Sequence, residues 1–439
     1  MPTSPIGLHI SGGGDPNRIS TGYLDELTIT CIAITDANGE TVLMYSQDLH
    51  GAHALVCNSC KIQIKGATGI PEDHIYMSAT HTHSGLMPDD QYGSTEFSAL
   101  YYDAVLKAAE EALADRAPAV MHGGNLDINE VSDQDMAFVR HYSISDGSVA
   151  GSNFGNYNNG KIVGHPYEAD QVAQLIRFVR EGKDKDVLMM NWPAHSTFNG
   201  TTTLLNVSAD YPSPLRGYIE ENTNCVVGVF LAGAGDQVPN SLWTEDNHGL
   251  DYQAYGKALA KLVVDNMDSV LKPIADGGIK QSAQTYTAKS NPSDAETLSL
   301  ANDVYKYFLH NGQTAGNAYA TQNGFYSVYE ARAIVSRSGL PETDDIPMEA
   351  MSLGNMSFVF APYEMSGPNA RFIRENTPFD MTFVIAYCND AYGYIPVPEN
   401  FEYNGGRGSY EAYASNFIKG TAEILADNYI SMLGDLKNG

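Results

Sequence analysis

The chain has 439 residues, 43% of them hydrophobic and 10% aromatic, which is ample for a large apolar core, and α/β enzymes of this size often form around one continuous core. Its 25 basic and 53 acidic side chains give a formal net charge of −28, which argues against a nucleic-acid partner, because nothing here neutralises a run of phosphates, and against polybasic attachment to an anionic membrane. No apolar stretch approaches the roughly 20 residues of a membrane helix, and five cysteines, Cys31, Cys57, Cys60, Cys225 and Cys388, are too few and odd in number for a disulfide framework.

Residues 27–34 and 41–47 flank Asp36-Ala37-Asn38-Gly39 and read as a β-hairpin. The second strand runs into Asp48-Leu49-His50-Gly51, so Asp48 and His50 stand at a strand's carboxyl end, where open α/β sheets place their ligands; an ordinary turn is the alternative. Residues 52–66 read as a helix that buries Cys57 and Cys60, and 69–73 connect it to the apolar run Ile75-Tyr76-Met77. From 94 to 114, apolar residues at helical spacing predict an amphipathic helix. The Gly-, Asn-, Ser- and Asp-rich stretch 141–169 reads as a long loop over a site. A second hairpin, 171–180 and 187–192, encloses Glu181-Gly182-Lys183-Asp184. Then follow a helix at 209–222, a buried strand at 225–231 ending in Ala232-Gly233-Ala234-Gly235-Asp236, helices at 251–271 and 294–311, strands at 350–353, 356–361 and 382–387, and a helix at 409–432. With no repeat and no linker, residues 1–439 read as one α/β domain, mixed β-sheets at the centre and helices outside.

Three apolar runs break at metal-ligand residue types. Ser78-Ala79-Thr80-His81-Thr82-His83-Ser84-Gly85 carries His-x-His, and in an extended backbone residues i and i+2 share a face. Solvated or core histidines would be the bland reading of that pair alone. Asn191-Trp192-Pro193-Ala194-His195 ends a second run and Pro362-Tyr363-Glu364 a third.

On these segments the chain resembles the catalytic domain of the neutral, non-lysosomal ceramidases, zinc amidases that split N-acylsphingosines into a fatty acid and a sphingoid base. The resemblance runs from Arg18-Ile19-Ser20-Thr21-Gly22 through His-Thr-His-Ser-Gly, Asn191-Trp192 with His195, and Gly235-Asp236 with Pro239-Asn240, to Glu364, Tyr394 and Tyr410. It implies Zn2+ held by His81, His195, Glu364 and Tyr394, the last chosen over Tyr392 because Pro398-Glu399 follows at the family's spacing. An aromatic packed beside the site is the alternative for Tyr394. His83 is then expected next to the metal, hydrogen-bonding the attacking water or the tetrahedral intermediate, and Tyr410 at the oxyanion, although Asn404-Gly405-Gly406-Arg407-Gly408 lengthens the interval from Tyr394.

Two departures stand out. The family's Gly-Asp-x-Ser-Pro-Asn reads Gly235-Asp236-Gln237-Val238-Pro239-Asn240, and valine is no nucleophile; either activity is lost or water activated by the metal attacks, which is the reading taken here. Asp236 then orients a ligand or water, or caps a turn. Where the family has an arginine the chain has Glu130, and Arg140 in Phe138-Val139-Arg140-His141 either replaces it or forms an ordinary strand salt bridge. The substrate implied is a lipid or other small N-acyl compound, ceramide by default; a different N-acyl amine or ester, or a binding protein that has lost catalysis, are the alternatives. The family is secreted or surface-displayed and Met1-Pro2-Thr3-Ser4-Pro5 is no secretory signal, so a mature form is expected, with the cytoplasm left open. Longer members carry a β-sandwich at the carboxyl end, for which the sequence to Gly439 leaves no room.

Overall fold

The computed structural model describes residues 6–12, 18–51, 53–88, 95–151, 161–199, 205–240 and 251–439. Three mixed sheets build its centre. The first runs Ile29–Thr35, Thr41–Gln47, Ile75–Ala79; the second Cys225–Leu231, Asp186–Trp192, Val172–Arg180, Ala119–Asp127, Lys272–Pro273; the third Ile279–Lys289, Thr343–Leu353, Met356–Phe360, Met381–Ile385. Successive side chains of a strand point to opposite faces, so a strand covered on both sides is apolar along most of its length, with the few polar residues hydrogen-bonded. That is the physical content of the apolar runs. Met44, Met189, Phe358 and Phe383 turn inward to one core shared by all three sheets, while their neighbours Leu43, Met190 and Val359 turn outward to three separate cores under helices. Helices Ala54–Thr68 and Thr95–Ala114 cover the first sheet, Pro212–Asn222 and Tyr252–Val270 the second, Gly367–Asn376 and Thr421–Asn438 the third. Each fully buried Leu or Phe contributes about 1.5–3 kcal/mol.

Most predicted elements stand where the sequence puts them, including both hairpins. Cys57 and Cys60 are buried on the predicted helix. Ala52 and Ser94, at the edges of two predicted helices, lie outside the described residues, as do the N-terminal residues 1–5. Three expectations need correction. The stretch 141–169 is no structureless loop: His141–Ile144 pairs with Val149–Gly151 and Ile162–Gly164 in a small sheet, residues 152–160 lying outside the described part. The helix expected at 409–432 is two, Tyr410–Ala414 and Thr421–Asn438, separated by a turn through Gly420 at φ 96°. The helix expected to end at 311 continues to Gln322 across a kink at Gly312, where φ is 77°. The strands Ala119–Asp127 and Ile279–Lys289 and the helix Val328–Ser336 went unpredicted.

Each sheet contains one parallel strand pair: Thr41–Gln47 with Ile75–Ala79, Asp186–Trp192 with Cys225–Leu231, and Met356–Phe360 with Met381–Ile385. The carboxyl ends of all three pairs lead into the same group of residues. His50 and His81 follow the first pair, His195 and Gly235 the second, Glu364 and Tyr387 the third.

Candidate metal centre

His81 and His195 bring their Nε2 atoms onto one oxygen, Glu364 Oε2, at 3.5 and 2.9 Å. All three side chains are buried, and together they form a group able to hold a metal ion. The tautomers are set from behind. His81 Nδ1 donates to the His50 carbonyl, and His195 Nδ1 donates to the carbonyls of Ala234 and Gln237 at 2.7 and 3.0 Å. With Nδ1 protonated, both Nε2 lone pairs point to the shared space, the arrangement that metal-binding histidines adopt. Burial holds the His195 imidazole below its usual pKa, Arg140 adding to the effect while Glu364 opposes it. Burial alone would raise Glu364, but His81 and His195 overcome it and keep the carboxylate ionised. Two imidazoles and a carboxylate fit zinc, whose catalytic sites use three protein ligands of such types and keep a position open.

The His-x-His pair meets, though not for the expected reason. The strand ends at Ala79 and His81 sits at φ 58°, so the motif is a turn and the two histidines do not share a strand face. His83 Nε2 nevertheless lies 3.2 Å from His81 Nε2, the rings edge to face. His50 packs against both, with ring centroids 4.6 Å from His81, tilted, and 4.9 Å from His83, edge to face, and His50, His81 and His83 make a second group of ligating capacity. His50 and His83 are the less deeply buried members of the cluster. Burial holds the imidazoles of both well below the usual range.

Tyr394 pairs with Glu364 across parallel strands, and its hydroxyl lies 3.4 Å from His195 Nε2. Burial pushes its pKa well up, with Arg140 opposing. Tyr410 meets Tyr394 edge to face at 5.4 Å, and Arg140 Cζ sits 5.3 Å from both ring centroids. Arg140 Nε donates to Glu411 Oε1 at 2.5 Å and Nη2 to the Gly235 carbonyl at 2.8 Å. So Arg140 belongs to the cluster and also forms the salt bridge that was its alternative reading. Glu130, by contrast, is exposed on a 3-10 turn after the Ala119–Asp127 strand. Asp236 accepts from the Gly367 amide at 2.7 Å, at the start of the Gly367–Asn376 helix, and from the Tyr167 hydroxyl at 2.5 Å. It touches no metal-ligand candidate through its carboxylate; its backbone carbonyl accepts from the Arg140 amide. Gly235 is needed here: a Cβ would stand 3.0 Å from the Glu364 and Met365 carbonyl oxygens. Val238 pairs with Phe138 in a short antiparallel ladder. Asp48 is occupied by Arg216, whose Nη1 lies 3.1 Å from Oδ1 and Nη2 2.5 Å from Oδ2.

Sequence reasoning missed Tyr387. Its hydroxyl donates to Glu364 Oε1, and its ring stacks on His81 with centroids 4.4 Å apart and 19° between planes. It leaves the Met381–Ile385 strand at φ 50°, a strained position of the kind that gathers at functional sites. By occupying Oε1 it leaves Oε2 to the two imidazoles. Replacing Tyr387 by Phe should therefore weaken retention of a divalent metal by about 10- to 100-fold, the cost typical of losing a group that orients a ligand. Competition against a chromogenic chelator measures it, and unchanged affinity would show the hydroxyl to be idle.

No family model and no curated protein matches the chain. Among solved structures, neutral ceramidase from Pseudomonas aeruginosa superposes with a TM-score of 0.73 at 14% identity, over 99% of this chain and 72% of that one. A structure described as ceramidase complexed with C2 gives 0.71 at 14%, over 99% and 73%. The chain has the neutral ceramidase fold. The motifs that carried the resemblance thus sit on a ceramidase architecture, with the ligand candidates at the ends of its parallel strands. Among the described residues no helix is long and apolar enough to cross a membrane.

Proposed function

We propose that the chain is a zinc-dependent amidohydrolase that cleaves the amide bond of an N-acyl lipid, ceramide by default, into an acid and an amine. The observation that carries this reading is the convergence of His81 Nε2, His195 Nε2 and Glu364 Oε2, each imidazole fixed by backbone carbonyls, on a ceramidase fold. His81, His195, Glu364 and Tyr394 would hold the ion. Zinc bound to such donors lowers the pKa of water to about 7 and polarises a carbonyl.

The chain's own groups do the rest. His83, half-exposed beside His81, hydrogen-bonds the attacking water and is placed to pass its proton toward the leaving amine. Arg140 is a buried cation under Tyr394 and Tyr410, so negative charge developing on the acyl oxygen is stabilised through these phenols in a low-dielectric surrounding. Asp236 works at a distance, anchoring the Gly367–Asn376 helix start and Tyr167 against the loop that carries Gly235. No serine is required, so Val238 is compatible with turnover. Residues 1–439 act as one catalytic domain in this reading, and a secreted or cell-surface location is carried over from the resemblance to the neutral ceramidases.

Glu130, exposed where an arginine was expected, favours a second reading within the same chemistry: another N-acyl amine or an ester as substrate. One experiment addresses both. Protein purified without added metal should contain about one zinc per chain by elemental analysis, and should hydrolyse at least one member of a panel of ceramides, shorter N-acyl amines and esters. Ceramide turnover supports the first reading, turnover of the others alone the second. Zinc-free protein that zinc cannot activate on any panel member would refute both.

A further inference from the structure

Away from the metal centre, a cleft of ≈ 880 Å³ opens between the helices Ala295–Gln322 and Val328–Ser336 and the segment around Arg407. Its wall contains Arg337. Arg337 is only 9% exposed, and its Nε has no hydrogen-bond partner among the described residues. A buried guanidinium carries five donors and cannot shed its charge, and leaving it unsatisfied costs free energy that some partner ordinarily recovers. The obvious internal partner is already taken. Glu330, on the same wall, accepts both its oxygens' bonds from Arg407 Nη2 at 2.8 and 2.9 Å and a further one from the Tyr326 amide at 2.6 Å. Arg407 in turn lies 3.8 Å over the Tyr326 ring. It comes from the segment whose length distinguishes the interval between Tyr394 and Tyr410, so the added residues help to build this cleft.

The remaining lining defines the ligand. Phe325 and Ile334 are apolar and mostly buried, which suits an alkyl chain. Asp294 and Glu296 also border the cleft, so a doubly charged anion meets about twice the repulsion that a single charge does. Burial draws the Arg337 pKa down and Glu330 draws it up, as befits a cation still awaiting a full counter-charge.

We infer that this cleft binds an alkyl monocarboxylate, its carboxylate on Arg337 and its chain along Phe325 and Ile334. The acid released from an N-acyl bond belongs to that chemical class, but the inference stands on the cleft and not on the metal centre. Tyr413, which borders the cleft, shares the Tyr410–Ala414 helix with Tyr410, their rings 5.5 Å apart, so occupancy is one short helix away from the proposed oxyanion group.

Isothermal titration of the purified full chain with sodium octanoate, and separately with inorganic phosphate at matched ionic strength, tests this. Octanoate should bind, Arg337→Met should weaken it by at least about tenfold, as loss of a charged hydrogen-bond partner does, and phosphate should give no heat. Because Arg337→Met removes an unsatisfied buried charge, its melting temperature should match or exceed that of the wild type; Arg337→Lys, which keeps the charge but loses the planar fork, should also bind octanoate more weakly. Absence of octanoate binding, phosphate binding in its place, or octanoate affinity that is unchanged in both variants would overturn the assignment.

Discussion

Alanine at His81 or at Glu364 should lower turnover by at least about a thousandfold and abolish zinc retention, whereas alanine at His53, His74 or His122 should leave both near wild type. The thousandfold follows from the several kcal/mol of charge stabilisation that a catalytic metal supplies, since about 4 kcal/mol corresponds to roughly three decades in rate. His81 and Glu364 share the buried donor cluster. The three controls stand elsewhere: His53 precedes the Ala54–Thr68 helix, His74 Nδ1 faces the Thr41 carbonyl, and His122 lies on the Ala119–Asp127 strand. Removing a buried carboxylate from between two imidazoles could also disturb folding, so Glu364→Gln is the cleaner companion. It keeps the size and a hydrogen-bonding oxygen toward Tyr387 while losing the charge that the ion requires. Circular dichroism of each variant separates unfolding from lost function. Near-normal turnover in a folded His81→Ala protein would remove the metal centre from its proposed role.

His81, His195 and Glu364 could be picked out in the sequence as ligand candidates because each follows a strand buried on both faces, and such strands are written as mostly apolar runs, whereas Tyr394 was chosen only by the family's spacing. Met356–Phe360 and Asp186–Trp192 announce themselves in this way, and the ligand-type residues then stand where the runs break. Ile279–Lys289 was invisible for the opposite reason: it is paired along its full length with Thr343–Leu353, but Ala288 is its one buried residue, so nothing in its composition separates it from a solvated segment. The paired ladder, not apolar content, makes it a strand. The 141–169 sheet was missed likewise, since strands of three or four residues are too short to show a period. Tyr387 was hidden at another level. It follows a legible strand, but its approach to Glu364 depends on a positive φ and on how two parallel strands lie side by side, neither of which a single segment's pattern encodes. The same holds for His81, whose meeting with His83 came from a left-handed residue and not from the strand periodicity that suggested it.

Glu411→Ala should destabilise the fold by about 3–5 kcal/mol, the usual result of breaking a buried ion pair from one side. Glu411 is fully buried and was not marked by any sequence motif; the residue before it, Tyr410, was. Its two oxygens receive Arg140 Nε at 2.5 Å and His141 Nε2 at 2.9 Å. Without them Arg140 loses its ion-pair partner and is left, a buried charge, with the Gly235 carbonyl and the neighbouring Tyr394 hydroxyl. The two effects of the substitution should therefore appear together: a lower melting temperature, and weaker activity through displaced tyrosines. The pH dependence gives an independent check. Burial by itself would raise the Glu411 pKa, but Arg140 and His141 outweigh it and hold the carboxyl far below the usual range. As pH falls, the unfolded chain therefore takes up this proton first, near the ordinary glutamate value of about 4.3. The contribution of Glu411 to stability is complete above that pH and drains away below it, since stability rises with pH wherever the unfolded state binds more protons. Between pH 6 and 3.5 the gap in melting temperature between wild type and Glu411→Ala should accordingly narrow. A double substitution, Arg140→Met with Glu411→Leu, should recover much of the lost stability, because it removes the stranded charge together with its partner, while leaving activity low. If the double variant were instead as unstable as Glu411→Ala, the destabilisation would lie with His141 and not with Arg140, and the cation under the two tyrosines would not depend on Glu411 for its place.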